Sequence, residues 1–235
     1  MMRRLLATLP SFLLYLLFLA HGAIAKERRP ILKLSANPSA IVAEEIALEQ
    51  AANSKGMAKA LRDFAAPDAI MFVPEPTSIL SYLKSNPLLP APDTDVHKII
   101  MSCDGKTGVA TGAWTNKGAA GYFTNVWRRY ERPDGNGKWL LVFIHNDKLQ
   151  VPRPKPDYIA TQTASCKGNA SVLLTAPADG VQLKKSLSSD QSLSWTWQYR
   201  PNKSRELEVA IWDGKVMTEV LDDEVAAPLI PEPKK

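Results

Sequence analysis

Two ionisable side chains have surroundings that suit proton transfer. His145 ends a strongly apolar segment, and imidazole is the side chain whose ordinary pKa lies closest to physiological pH. Asp68 follows a helix-like segment, and a carboxylate there acts as a general base when its surroundings raise its pKa. Together they predict the acid/base pair of a lyase or isomerase. The alternatives are a strand-end histidine bonded to a neighbour and a turn aspartate that accepts from backbone N–H groups.

The residues that hold metals and cofactors are scarce in this sequence. Beyond the N-terminal segment the histidines are His97 and His145, whereas zinc and iron sites take three or four ligands in suitable geometry. The sequence contains no P-loop, no dinucleotide-binding fingerprint and no G-x-S-x-G nucleophile motif. We therefore expect neither a metal nor a cofactor.

Aromatic and polar residues of the apolar segments are candidates for the lining of a ligand pocket. Alternate residues of a strand share a face, so Asn125 lies beside Trp127, and His145 shares its face with Phe143 and Leu141. Such residues also form ordinary cores, and that interpretation stays open. The predicted lining set is Tyr82, Trp114, Asn125, Trp127, Phe143 and His145.

The elements that would position these residues are helices followed by a run of strands. Asn37 and Pro38 mark a helix start, and Gly56 marks its end, with Glu44, Glu45 and Glu49 facing solvent or a cavity. Further helices are predicted over residues 57–66 and 79–83. Residues 99–147 read as four strands joined by three tight turns. This order predicts an α+β fold in which a curved antiparallel sheet packs on N-terminal helices and leaves a hollow.

A proline-rich linker at residues 151–156 separates this part from a C-terminal β extension over residues 157–225. Alternation of apolar and polar residues predicts three strands there, over residues 193–199, 206–212 and 215–221. The first carries an aromatic face of Trp195, Trp197 and Tyr199, which would dock on the preceding domain or serve a partner. Residues 226–235 are predicted to be a disordered tail.

The N-terminus has the order of features of a secretory signal peptide. A basic start and a short apolar run precede Ala23 and Ala25, an A-x-A cleavage site, so residues 1–25 are the predicted signal. A membrane anchor is the alternative, but the apolar run is shorter than the ~20 residues of a bilayer span. The mature protein is therefore expected to be periplasmic or secreted and free of the membrane. Removal of the predicted signal lowers the net charge from +5 to +3, which is mild, and the one basic cluster lies in the N-terminal tail at residues 26–29. Both points argue against nucleic-acid binding.

The sequence contains two cysteines, Cys103 and Cys166. An even number of cysteines in an exported protein favours a disulfide. The alternative is a pair of free thiols, one of them buried.

Four segments carry a family resemblance: ALRDFAAPDAIMFVPEP, SCDGKTGVATGAW, GYFTNVWRRY and DGNGKWLLVFIHND. They resemble the nuclear transport factor 2-like superfamily, most closely exported bacterial members related to polyketide-cyclase-like and calcium/calmodulin-kinase association domains. The resemblance implies a cone-shaped domain over residues 35–150, with a pocket at its open end. It also implies that Asn125 faces this pocket and that His145 matches a histidine near the end of the last strand, whereas Ile144 replaces a carboxylate that relatives often carry.

Members of that superfamily include isomerases, dehydratases, cyclases, non-catalytic binders and dimerisation modules, so the resemblance implies several functions. The leading expectation is non-catalytic binding of a small, partly apolar molecule in the cone. The second is a lyase or isomerase that uses His145 and Asp68. The third is an assembly module, with a homodimer formed through the sheet.

Overall fold

The structure is a computed structural model that describes residues 36–132, 136–171 and 176–228. The predicted signal peptide and most of the predicted tail lie outside these ranges. Within them, no helix has both the length and the apolar character needed to cross a membrane.

Three helices begin and end close to where the sequence signals place them. α1 (Pro38–Lys55) has proline in its first turn, and Gly56 ends it at φ +87°, a backbone conformation that glycine adopts without strain. α2 (Met57–Phe64) follows directly and is two residues shorter than predicted. α3 (Ile79–Ser85) starts at Ser78, whose hydroxyl accepts from the Ser81 N–H.

A seven-stranded sheet contains the four strands of the predicted meander, and α3 lies between its second and third strands in the chain. Its strands are β1 (Ala65–Phe72), β2 (Pro76–Ser78), β3 (Asp93–Met101), β4 (Thr107–Asn116), β5 (Ala119–Tyr130), β6 (Lys138–Leu149) and β7 (Ala160–Thr163), in the order β2-β1-β6-β5-β4-β3-β7. β3 to β6 pair antiparallel, as the turn signals predict. However, β1 pairs parallel to β6 and β7 pairs parallel to β3, so the sheet is mixed and not antiparallel throughout.

The C-terminal part forms a second sheet of four antiparallel strands. They are β8 (Gln182–Leu187), β9 (Leu193–Tyr199), β10 (Arg205–Trp212) and β11 (Met217–Val225), in the order β11-β10-β9-β8. The sequence predicts three of these strands. β8 was missed because its sequence, QLKKSL, carries only two apolar residues, too few for a recognisable alternating face.

The helices and the second sheet cover opposite faces of the seven-stranded sheet. One core joins the helices to the first face, with Ile41, Leu61 and Trp127 buried in it. The other core joins the second face to β9 and β10, and in it the rings of Phe72 and Trp197 meet edge to face at 5.6 Å. The aromatic face of β9 is therefore buried inside the chain and is not available to a partner.

The position of α1 over the sheet depends on a glycine. A Cβ at Gly108 of β4 would lie 2.5 Å from Cγ1 of Ile41, which is far inside van der Waals contact. Because Gly108 has no side chain, Ile41 packs directly on the β4 backbone and is fully buried. This close approach sets the depth at which the next turn of α1, which contains Glu45, meets the sheet.

Candidate functional site

A cavity of about 330 Å³ lies between α1 and the first face of the seven-stranded sheet. The helices contribute Leu48, Met57 and Leu61 to its apolar wall, and the segment before β3 contributes Leu89 and two prolines. Three residues of the predicted lining set lie in this wall: Tyr82, Trp114 and Asn125. Most of the lining is hydrocarbon or aromatic, as is usual for small-molecule sites.

The carboxyl group of Glu45 is the central polar feature of the cavity. It follows Ile41 by four residues and precedes Leu48 by three, so it lies on the apolar face of α1 and is only 3% exposed. Asn125 donates its amide N–H to both carboxyl oxygens at 3.0 Å, and the indole N–H of Trp127 donates to Oε1 at 2.6 Å. All the side-chain bonds that hold this carboxyl among the described residues thus come from β5.

Burial raises the pKa of Glu45 to about 7, because the ionised form loses its hydration. The hydrogen bonds from Trp127 and Asn125 oppose this rise, since they stabilise the carboxylate. The negative charges of Glu49 and Glu44 add to it. At that pKa the Glu45 carboxyl is present in both its protonated and its ionised form near neutral pH.

Glu45 was not singled out from the sequence, although a signal for it exists. The apolar positions of α1 recur at Ile41, Leu48 and Ala52, and Glu45 falls on the same stripe. A carboxylate on the buried face of an amphipathic helix is unusual, because burying a charge is costly unless hydrogen bonds satisfy it. That position alone marks Glu45 as a candidate.

Glu49 lies one helical turn after Glu45 and also lines the cavity. One of its oxygens accepts from the backbone N–H of Thr94 at 3.0 Å, which ties α1 to the start of β3. Two carboxyl groups from a single helix therefore line the same cavity.

Trp127 and Trp114 occupy different positions relative to the cavity. Trp127 is fully buried beneath Glu45 and supports it without lining the space, which corrects the prediction that it does. Trp114 lines the cavity, and its indole N–H donates to the carbonyl of Tyr122 at 3.0 Å. Gly121 makes room for this ring, because a Cβ there would lie 2.3 Å from it.

The prediction that Phe143 and His145 line the pocket is wrong, and a β-bulge explains why. Leu141 pairs with Trp127 and Phe143 pairs with Val126, so Val142 is an extra residue in β6. A bulge shifts the alternation of side chains by one residue. Beyond Val142 the cavity is therefore lined by Ile144 and Asn146, whereas Phe143 and His145 face the second sheet.

His145 is enclosed between the two sheets. It is fully buried, and its ring lies 5.6 Å from that of Phe72 and 5.8 Å from that of Tyr122. Burial, together with the positive charges of Arg205 and Arg153, lowers its pKa to about 3. At that pKa the imidazole is neutral at physiological pH.

Asp68 does not meet His145 in the structure. It is exposed in the part of β1 where the pairing with β6 is interrupted, between Ala65 and Ile70. Because Asp68 is exposed and His145 is buried between the sheets, no substrate in the cavity reaches both. The predicted pair of His145 and Asp68 is therefore wrong.

The structure confirms a disulfide between Cys103 and Cys166, which are 63 positions apart in the chain. It connects the turn after β3 to the segment after β7. In the same turn the Cys103 N–H donates to the Ser192 hydroxyl at 2.8 Å, which anchors this turn to the second sheet.

One acidic cluster lies outside the cavity, on β10 and β11. Glu206, Asp222 and Glu224 bring carboxyl oxygens within 4.8 Å of one another. However, the carboxylate of Glu206 already accepts from Gln198 and pairs with Arg200. Both donors bond to the same oxygen, Oε2 of Glu206, so this carboxylate already has a cationic partner, and we assign no metal to this cluster.

No protein-family model and no curated protein matches the sequence. The solved structures that are similar to about half of the chain include the following three. A protein of unknown function of the DUF3225 family from Pectobacterium atrosepticum is 16% identical with a TM-score of 0.37, covering 48% of this chain and 91% of its own. The S. rosetta CaMKII hub is 19% identical with a TM-score of 0.35, covering 49% and 100%. A candidate ketosteroid isomerase from Parabacteroides distasonis is 21% identical with a TM-score of 0.37, covering 51% and 93%. At these values the similarities assign neither a family nor an activity to the chain.

Proposed function

We propose that this protein binds a small, largely apolar molecule in the cavity between α1 and the sheet, with Glu45 as the polar anchor. The observation that carries the proposal is the carboxyl of Glu45, which Asn125 and Trp127 hold from behind at the wall of an otherwise apolar space. The volume of about 330 Å³ falls at the lower end of the ~300–1,000 Å³ that ligand sites occupy.

Preorganisation supports binding at this site. The two donors of β5 fix the carboxyl before any ligand arrives, so little conformational entropy is lost when a ligand bonds to it. The apolar wall then contributes about 25 cal/mol for each Å² of ligand surface that leaves water. Such a site selects a ligand by one polar contact and by shape.

We infer in addition that residues 35–150 form a nuclear transport factor 2-like cone and that the chain is exported to the periplasm or secreted. The segments that carry the resemblance, together with helices packed on a mixed sheet, support the first inference. The disulfide supports the second, because disulfides persist in oxidising compartments. The homodimer stays a prediction, to be tested by measuring the mass of the purified protein in solution.

Thermal shifts across a library of small apolar compounds test the binding function. We expect a subset of compounds to raise the melting temperature of the wild type and to lose this effect in Glu45→Gln. The matched control is Glu44→Gln, because Glu44 is the neighbouring carboxyl of α1 and lies outside the cavity lining. Compounds that stabilise all three proteins equally, or a library without any stabilising compound, would contradict the proposal.

A second candidate function is proton transfer in an isomerase or lyase reaction, now with Glu45 in the role first given to His145 and Asp68. The observation in its favour is the pKa of about 7, which suits a group that both accepts and donates a proton. The test is exchange of the acidic C–H protons of a cyclic ketone with deuterated solvent, followed by NMR. The expected exchange is faster than in buffer, is lost in Glu45→Gln and is kept in Glu44→Gln. Exchange at the buffer rate would remove this candidate.

A further inference from the structure

We infer that the ligand of this cavity is a small organic cation: a protonated amine on an apolar body. This inference rests on the proposed binding function and adds the chemical class of the ligand. It follows from the charged and the aromatic residues that line the cavity.

The charged residues of the cavity wall all have the same sign. Glu45 and Glu49 are one helical turn apart on α1, and both line the space. Among the described residues of the lining there is no lysine, arginine or histidine. An anionic ligand would therefore meet two carboxyl groups without a counter-charge, and binding it would be strongly unfavourable.

The two carboxyl groups act on each other electrostatically. The charge of Glu49 makes ionisation of Glu45 less favourable, and the charge of Glu44 acts in the same direction. Across the cavity, the titratable side chain that faces them is Tyr82 of α3; β3 to β6 contribute neutral side chains such as Asn116 and Asn146. A cation between the carboxyl groups relieves this repulsion, whereas a neutral ligand leaves it unchanged.

The aromatic part of the wall suits a cation as well. Trp114, Phe123 and Tyr82 line the same space as the carboxyl groups. The face of an aromatic ring attracts an ammonium group, and this attraction strengthens when water is excluded. The same rings provide the apolar surface that packs against the body of the ligand. An alcohol would gain this packing and one hydrogen bond, but no charge pairing.

The inference is tested with three ligands of one shape: naphthylmethylamine, naphthylmethanol and naphthoate. Each is titrated into the full exported protein at pH 8 and low salt, with calorimetry as the readout. We expect the amine to bind at least about tenfold more tightly than the alcohol, because two carboxylates then face one cation. We expect naphthoate to bind more weakly than the alcohol.

Substitutions separate charge from hydrogen bonding. Glu49→Gln keeps the shape of the side chain and removes one charge, so it should weaken amine binding by about tenfold and change alcohol binding by less than about twofold. Glu44→Gln removes a charge that also acts on Glu45 but lies outside the lining, so it should weaken amine binding by less than Glu49→Gln does and leave alcohol binding unchanged. Amine binding should also weaken from pH 8 to pH 5.5, since the protonated carboxyl of Glu45 no longer pairs with a cation.

The outcomes distinguish this inference from the proposed function beneath it. Equal affinity for the amine and the alcohol, or tighter binding of naphthoate, overturns the cationic ligand while the apolar site stands. Amine binding that is unchanged in Glu49→Gln also overturns it. If none of the three ligands binds, and no compound of the thermal-shift library raises the melting temperature, the proposed binding function is itself contradicted.

Discussion

Trp127 lies directly beneath Glu45 and donates its indole N–H to the carboxyl at 2.6 Å. Trp127 belongs to β5 and is fully buried, with the ring of Phe64 from α2 packed edge-on at 6.1 Å. The carboxyl is thus carried by α1 but held by the sheet. Its proton affinity therefore depends on a residue that does not line the cavity.

Replacing Trp127 with phenylalanine removes this donor and keeps an aromatic ring in the core. Because the bond stabilises the carboxylate, its loss should raise the pKa of Glu45 above about 7, by roughly one pH unit. The measurement is an NMR titration of ¹³C-labelled glutamate carboxyls. Trp139→Phe removes a tryptophan that contacts the same core without bonding to Glu45, so it should leave the midpoint in place. An unchanged midpoint in Trp127→Phe would contradict the role given to the indole.

Glu45 should make the folded protein less stable as the pH rises through neutrality. Its pKa increases from 4.5 to about 7 on folding, so between these values the folded state binds more protons than the unfolded state. The stability that protonation provides is fully present below pH 4.5 and is lost as the pH rises to 7, in total about 3 kcal/mol. Glu45→Gln should abolish this part of the pH dependence. Urea unfolding at pH 5 and pH 8 measures it, and parallel losses in the wild type and the variant would argue against a protonated Glu45.

His145 should make the folded protein less stable as the pH falls. Its pKa falls from 6.5 to about 3 on folding, so the unfolded state binds more protons between these values. The stability contributed by the neutral imidazole is present above pH 6.5 and is lost as the pH falls, by about 1.4 kcal/mol per pH unit. The unfolding free energy of His145→Phe should therefore rise relative to that of the wild type as the pH is lowered from 7 to 4. A difference in unfolding free energy that stays constant over this range would contradict the burial of a neutral imidazole.

The misplacement of His145 shows where sequence patterns lose information. The segment from Trp139 to Ile144 is apolar at every position, so the residues on the two faces of β6 do not differ in polarity. The sequence therefore gives no sign of the bulge at Val142 or of the change of face that it causes. A buried strand covered on both sides has this property in general. The second sheet covers the second face of β6. Its strand β8 could not be recognised from the sequence either, because most of its residues are polar.

Other features were predictable because local chemistry determines them. The start of α1 at Pro38, its end at Gly56 and the turns of the meander follow from residues with strong backbone preferences. The pairing of Cys103 with Cys166 followed from their even number and the predicted export. The cavity itself depends on long-range packing between α1 and β5, and Glu45 acquires its shifted pKa only through that packing.

The disulfide should stabilise the fold mainly by restricting the unfolded chain. For a loop of 63 residues the chain-entropy model gives about 4 kcal/mol. The double variant Cys103→Ser/Cys166→Ser should lose about 2–4 kcal/mol in urea unfolding, and reductant should lower the stability of the wild type to the same level. Reductant should leave the double variant unchanged, which is the control. Equal stability of oxidised and reduced wild type would mean that the turn after β3 is held fully by its other bonds.

The contact between Gly108 and Ile41 should be visible as energetic coupling. Gly108→Ala places a methyl group 2.5 Å from Ile41, and overpacking of this kind costs about 1–3 kcal/mol. Ile41→Ala alone should cost about 2–5 kcal/mol, because it leaves a cavity under α1. In the double variant the new methyl group occupies part of that space, so the combined loss should be smaller than the sum of the two single losses. Because α1 carries Glu45, Gly108→Ala should also weaken ligand binding more than its stability cost implies. Additive losses in the double-mutant cycle would show that α1 does not rest on β4 at this point.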